Sequence, residues 1–386
     1  MATFETSLKS RLIYVFAIPD EWHKDCLKVG ETTLEEDDGN FPLPNSEVLN
    51  KAACDRIDQY TKTAGIAYNL LHTEMTVFFK GGTISSFNDK QVHSVLERSG
   101  VKKKTFDTVK GANEWFCCDL ETVKKAIHAV KNGRNSLNAS DISYTQTPII
   151  FRPEQQAAID KTKKQFKKGA QMLWNAKMRF GKTLCALRVA RDLEMRRTII
   201  LTHRPVVDES WFEDFGKIFY DRTDYHYGSR TKGEDFTSLE RLAKKGDRYV
   251  YFASMQDMRG AQLVGGKFDK NNEVFSTDWD FLIVDEAHEG TRTELGESVI
   301  KELTKANTKV LKLSGTPFNL LDDYTEEETY TWDYTMEQRA KTEWDLLHMG
   351  DPNPYASLPA INIYTYDLGA LMNDYSEDEK AFNFRE

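Results

Sequence analysis

NAKMRFGKT (175–183) and IVDEAHEG (283–290) are the two stretches whose reading decides the fold of this chain. The first fits the pattern GxxxxGK(S/T), with Ala176 where the first Gly usually stands. At that spacing backbone N–H groups can wrap phosphate oxygens. Lys182 can reach the terminal phosphates, and the Thr183 hydroxyl can hold Mg²⁺. Gly181 lets the backbone approach closely, and the helix that starts here adds its positive dipole end. In the second stretch an apolar run, FLIV, breaks into Asp285-Glu286-Ala287-His288. Such a run predicts a central parallel strand with acidic residues at its C-terminal edge. That edge is where open α/β sheets bind ligands. A third stretch, KVLKLSGTPFN (309–319), is another apolar strand, ending in Ser314-Gly315-Thr316. Their order and spacing fit one α/β domain that takes a nucleoside triphosphate, with Ala176, Met178, Arg179, Gly181, Lys182 and Thr183 along its phosphate loop.

At these residues the chain resembles the DEAH-box superfamily 2 helicases and translocases, especially the helicase subunits of restriction enzymes, over about 150–320. The resemblance implies that Asp285 coordinates Mg²⁺ through water, with Thr183, and that Glu286 positions and activates the attacking water. His288 would couple the ATP site to the rest of the motor, and Ser314 and Thr316 would link hydrolysis to movement. FRPEQQAAI (151–159) resembles the opening motif, in which Arg152 and Gln155 lie at the nucleotide and Gln155 reads the adenine edge. TIILTHRPVV (198–207) resembles the strand and loop that touch the nucleic-acid backbone, through His203, Arg204 and Pro205. YVYFASMQDM (249–258) resembles the next strand, with Ser254 and Gln256 at its tip. Ala176 departs from the commonest Gly but is tolerated in this family.

Composition sets outer bounds. A chain of 386 residues, 40% hydrophobic and 29% charged, has room for two or three domains and an ample core. No apolar stretch approaches the length of a membrane span. The N-terminal stretch has one short apolar run and no small-residue cleavage site, so it reads as a strand. The 5 Cys show no paired spacing, which points to buried thiols in a reducing, cytoplasmic setting. A net charge of −9 weighs mildly against nucleic acid as a partner, although it says little about a local groove. The basic runs Lys102-Lys103-Lys104 and Lys161 to Lys168 read as solvated faces.

The expected organisation is α/β: a small α+β domain at 1–131, a linker at 132–149, a P-loop RecA-like parallel-sheet domain at 150–320, and a strap at 321–386. The charged stretch 221–248 reads as an exposed excursion. Nothing after 320 shows the strand pattern of a second RecA-like lobe, so the expectation is a fragment whose second lobe lies in a longer chain or a partner.

In the first block the ordered set is Leu12-Ile13-Tyr14, Lys28-Val29-Gly30-Glu31-Thr32, Arg56 on a helix, Asp89 and His93 on another, and Glu114-Trp115-Phe116. It resembles a divergent branch of the GIY-YIG nuclease superfamily, over roughly 10–130. The resemblance implies that Tyr14 helps activate water, Arg56 clamps the scissile phosphate and Asp89 holds the metal where the family usually has Glu. The departures are LIY for GIY, Lys28 for the second Tyr, and the shorter Asp89. His93, one turn beyond Asp89, lies on the same helix face and could orient phosphate or move a proton. The combined expectation is a motor module of a DNA helicase or translocase, acting on duplex DNA and fused to a nuclease-like domain, as in restriction or anti-phage systems. A nucleic-acid-binding switch with an inactive first block, and an RNA helicase, are the alternatives.

Overall fold

Alternation along one strand builds the first block. In the computed structural model, which describes residues 10–34, 41–106, 114–138, 141, 149–287, 294–316 and 320–358, β1 (Arg11–Ala17) is buried from Leu12 to Phe16. Both of its faces are covered. Ile13 and Val15 enter a core with Val29, Val92, Phe116 and Val123, whereas Leu12, Tyr14 and Phe16 enter a second with Leu49, Ala53 and Ile57. β2 (Leu27–Thr33) pairs antiparallel with β1, α1 (Glu47–Thr61) supplies the second core, and β3 (Asn69–Met75) flanks β1 on its other edge. A hairpin follows, β4 (Val77–Lys80) and β5 (Thr83–Ser86). Then come α2 (Asp89–Arg98), β6 (Trp115–Phe116) and α3 (Leu120–Lys131). The four-stranded sheet runs β3-β1-β2-β6. Asn88 and Gln91 close a reciprocal capping box on α2, which fixes where that helix starts.

The second sheet is parallel and runs β13-β7-β12-β11-β8-β10-β9. In chain order its parts are α4 (Pro153–Gln165), β7 (Gln171–Ala176), α5 (Lys182–Asp192), β8 (Arg197–Thr202), α6 (Asp208–Phe219), β9 (Tyr225–Gly228), α7 (Phe236–Ala243) and β10 (Arg248–Ser254). They continue with α8 (Met255–Arg259), α9 (Asn272–Ser276), β11 (Phe281–Asp285), α10 (Glu294–Leu303), β12 (Lys309–Ser314) and β13 (Thr329–Trp332). Helices cover the faces, so the central strands are apolar along their length: Phe281 to Val284 are all buried.

Two segments differ from the sequence expectation. The stretch 221–248 is no exposed excursion: β9 is buried at all four positions and α7 packs beneath it. Its signal, Tyr-His-Tyr-Gly, is too short to show a period, and its burial comes from contacts with α6, Phe219 stacking on Tyr225 at 4.4 Å. In the expected strap, Thr329–Trp332 joins the sheet beside β7 and Lys177 N–H donates to the Trp332 carbonyl at 3.0 Å.

Residues through Asp333 form one compact unit, and Tyr334 onward a second. In the second, α11 (Tyr334–Leu347) stacks Trp344 on His348 at 4.0 Å, and Asn353 ties back to Lys341 and Asp345. No described helix is long and apolar enough to cross a membrane. The Sγ atoms of Cys26 and Cys117 lie 3.1 Å apart, and burial together with Cys117 pushes the Cys26 thiol up to about 12. Residues 91 positions apart gave no sign of this in the sequence.

Candidate functional site

The P-loop is the turn from β7 into α5. Gly181 sits at φ 91°, a left-handed conformation that suits glycine, and a Cβ there would lie 2.6 Å from the Gln155 amide. That amide donates to the Phe180 carbonyl at 2.7 Å, its oxygen accepts from Arg152 N–H at 2.8 Å, and Arg152 also reaches the Phe180 carbonyl at 3.0 Å. The opening motif and the P-loop are therefore one bonded assembly. Ala176 is buried, Met178 and Arg179 are exposed, and Thr183 is half-buried in the first turn of α5.

Lys182 points back toward the sheet and donates to the Ala176 carbonyl at 2.8 Å. Burial lowers its pKa, opposed by Glu286 and Asp285 across the loop. Asp285 ends β11; burial first and then Glu286 hold its carboxyl above the usual range. Trp211 of α6 donates its indole N–H to Asp285 at 3.3 Å, a partner that the motifs did not indicate. Glu286 stands at φ 48°, a left-handed turn that breaks the strand at the acidic pair. Gly315 lies against the lysine: a Cβ built on it would be 3.8 Å from Nζ. Ser314 ends β12 opposite Asn175, and its hydroxyl accepts from Thr316 N–H at 3.2 Å. The strand ends thus bring Lys182, Asp285, Glu286, Ser314 and Thr316 together. His288 lies outside the described residues.

Further along the same edge of the sheet, β8 and β10 end beside each other, Thr202 opposite Ser254. A groove of about 390 Å³ there takes in Pro205, Ser254 and Gln256. His203 is half-buried, Arg204 is exposed, and the Ser254 hydroxyl caps α8 by accepting from Asp257 N–H at 3.1 Å.

In the first block Tyr14 is buried, and burial raises its phenol; Tyr60, Arg56 and Glu114 also act on it. Its hydroxyl is 3.5 Å from that of Tyr60. Tyr14 lies over Gly30, where a Cβ would come within 2.7 Å of the ring, so the glycine of Lys28-Val29-Gly30 makes room for the tyrosine. Asp89 opens α2, and its N–H donates to the Glu31 carboxylate at 3.3 Å. Burial and then repulsion from Glu31, with Glu114 contributing, raise its carboxyl. Glu114 therefore neighbours both Tyr14 and Asp89, and it pairs with Lys28 at 3.4 Å. Arg56 is exposed, bonds Gln59 at 2.8 Å and lines a groove of about 780 Å³ with Arg11 and Glu31. Tyr14 and Asp89 lie outside the lining of that groove.

His93 is a correction. Its Nε2 is bonded to the Val29 carbonyl at 2.8 Å and its ring packs 5.1 Å from Phe116. It is buried and joins α2 to β2, so that nitrogen is not available to a phosphate. Glu31, Tyr60 and Glu114 are the group's missing members; they carried no assigned role because their proximity comes from the packing of α1 and α2 on the sheet and from the pairing of its strands. Among the described residues, no group of three or more His, Cys, Asp and Glu is spaced to hold a metal ion.

With this geometry in view, the comparisons locate the lobe. Residues 148–319 match the family model for the type III restriction enzyme, res subunit. Over this segment the chain is similar to that family. A Mycoplasma pneumoniae protein named as the C-terminus of a candidate type II restriction enzyme and methyltransferase is 26% identical over 272 residues, 59% of this chain and 37% of the relative. The chain thus spans little more than a third of that relative's length. Among solved structures, the UvsW helicase of bacteriophage T4 is similar at 15% identity and TM-score 0.35, over 55% of this chain and 77% of that one. A nuclease-deletion mutant of the type ISP restriction-modification enzyme LlaGI, in complex with a DNA substrate mimic, is similar at 16% identity and TM-score 0.32, over 53% and 23%.

Proposed function

We propose that the chain is the ATP-driven motor module of a DNA helicase or translocase, joined to a metal-dependent nuclease-like block, of the kind used in bacterial restriction and anti-phage defence. One observation carries the motor reading: a half-buried lysine faces two strand-end carboxylates at the mouth of a parallel sheet. That charge set suits a polyphosphate with a divalent cation, because a phosphate relieves the half-buried ammonium and the cation relieves Asp285 and Glu286.

Thr183 and Asp285 would hold Mg²⁺, which when bound neutralises charge on the terminal phosphate oxygens. Lys182 would bind the terminal phosphates, and the N–H groups of 178–181 would wrap them. Gln155, fixed beside the loop, would read the adenine edge. Glu286, turned out of its strand, would hold the attacking water and take its proton. His288, Ser314 and Thr316 would pass the change at the terminal phosphate to the nucleic-acid side, where His203, Arg204, Ser254 and Gln256 would touch the DNA backbone. A second RecA-like lobe, in the same longer protein or in a partner, would close the site with an arginine on the terminal phosphate.

In the first block Arg56 would clamp a phosphate, Tyr14 would help activate water, and Asp89 with Glu31 would attract a divalent cation. The reading of this block as nuclease-like rests on two links: Arg56 and Glu114 both act on Tyr14, and Glu31 and Glu114 both act on Asp89. Calorimetric titration with ATP·Mg²⁺ tests the motor reading, and a chain that binds none sinks it. Nicking of supercoiled plasmid with Mg²⁺ or Mn²⁺, without ATP, tests the nuclease; no nicking leaves the block as a gripping domain.

A further inference from the structure

The groove at the ends of β8 and β10 has a wall that no motif marks. Beside Pro205, Ser254 and Gln256 stand Arg230, Thr231 and Lys270. Arg230 and Thr231 belong to the turn after β9, and Arg230 is exposed. Two parts of the molecule hold this turn. From the ATPase lobe, Asp208 at the start of α6 accepts from the hydroxyls of Tyr227, Ser229 and Thr231 at 2.7, 2.7 and 2.6 Å. From the first block, Arg98 in the last turn of α2 spreads its guanidinium over four carbonyls. It reaches Gly233 at 2.6 Å, Ser229 at 3.0 Å, Arg230 at 3.1 Å and Lys232 at 3.4 Å. Gly233 N–H returns a bond to the Arg98 carbonyl at 2.8 Å.

The anchoring extends beyond Arg98. Glu234, 1% exposed, accepts from the N–H groups of Asn135 and Ser136 at 2.9 and 3.1 Å. Residues at the head of the expected linker are therefore fastened to the same turn. The acidic groups of the groove are engaged: Asp208 by three hydroxyls, and Asp257 by Lys270 at 2.7 Å. Arg230 is left as the cation of this wall that neither carboxylate takes up.

We propose that Arg230 is a phosphate contact of this groove, and that Arg98 is the positioning residue that holds it there from the first block. The inference rests on the reading of the groove as a DNA-backbone surface. It adds a consequence. α2 carries Asp89 at its first residue and Arg98 at its last, nine positions and about 13.5 Å apart along the helix. One rigid helix therefore sets the distance between the nuclease-like pocket and the motor's grip on the strand.

The test is fluorescence anisotropy of a labelled DNA duplex with the full chain over a series of salt concentrations. Arg230→Ala should weaken binding and reduce the salt slope by about one, the signature of one lost phosphate contact. Arg98→Ala should reduce the slope by the same amount, and should add little once Arg230 is gone. Arg98→Lys should resemble Arg98→Ala, because one ammonium cannot span four carbonyls. If the Arg98 variants do not fold, Thr231→Val, which frees the turn from Asp208, should lower the slope in wild type and not in Arg230→Ala. An unchanged slope in Arg230→Ala overturns the phosphate contact. Additive losses, or a drop in thermal stability at constant slope, overturn the positioning role. A wild-type chain that ignores duplex DNA, or is unmoved by Arg204→Ala with Gln256→Ala, sinks the DNA reading itself. A normal response there with a silent Arg230→Ala sinks this inference alone.

Discussion

In the parallel-sheet lobe, Asp285 and Ser314 end neighbouring strands and Lys182 opens the helix that follows a third, each within its own motif in the chain. In the first block, Tyr14, Glu31, Arg56 and Asp89 come from four elements, and no two are closer than 17 positions in sequence. The first arrangement follows from topology: a parallel sheet brings all its strand ends to one edge, so a short motif after each strand is enough. The second depends on register and on how two helices pack against β2. A local motif survives small shifts in packing. A dispersed site does not, and its residues should respond more to changes in the core beneath them.

The largest expected effect is in the lobe. Glu286→Gln keeps the phosphate cradle and removes the group that takes the water's proton. Turnover of ATP should fall by roughly 10²–10⁴-fold, while calorimetric affinity for ATP·Mg²⁺ stays at the wild-type value. A matching loss of affinity would show that the acidic turn shapes the pocket and is not confined to the chemical step.

Next in size is Lys182→Ala. It removes a charge-assisted contact worth roughly 1.5–3 kcal/mol, so the dissociation constant should rise about ten- to a hundredfold. Equal affinities in wild type and variant would break the comparison at its stronger side.

Two substitutions in the first block probe the dispersed site. Arg56 is exposed, so Arg56→Ala should leave the melting temperature nearly unchanged, within about 0.5 kcal/mol, and abolish plasmid nicking. Gly30→Ala should act in the opposite sense, through the fold. Its Cβ would meet the Tyr14 ring at 2.7 Å, and such overpacking costs about 1–3 kcal/mol. A tolerated alanine would mean that Tyr14 can leave its place without consequence.

The contrast also explains what the sequence made legible. The strand ends at Ala176, Asp285 and Ser314 were readable because each joins an apolar strand to a chemically distinct tip. The two helices that carry Arg56 and Asp89 were readable as helices. β9 and β13 were not, since four-residue strands carry no period and depend on what they pair with. Tyr14, Arg56 and Asp89 were readable only as an ordered set. Glu31 went unassigned because its carboxylate matters through a bond from Asp89 N–H, 58 positions away. His93 misled for the same reason: helix spacing placed it beside Asp89, and the carbonyl of Val29 claimed its ring.

The smallest expected effect concerns Asp89 and separates a metal site from a strained carboxylate. Burial, then Glu31, raise its carboxyl above the unfolded value, so the folded chain holds that proton more tightly than the unfolded one. The stabilising contribution is present below the unfolded carboxylate value. It is lost as pH rises through the window up to the raised folded value, and the charge remains unfavourable at neutral pH. Asp89→Asn should therefore raise the melting temperature at neutral pH and leave it unchanged in acid. The side chain is only half-buried, so the gain should stay below about 1 kcal/mol. Adding Mn²⁺ should stabilise the wild type and not the variant, if Asp89 and Glu31 share a cation, because a ligand that binds only the folded state raises its stability. Equal melting temperatures with and without Mn²⁺ would leave two carboxylates that repel each other for no metal's sake, and would move the first block from cutting to gripping.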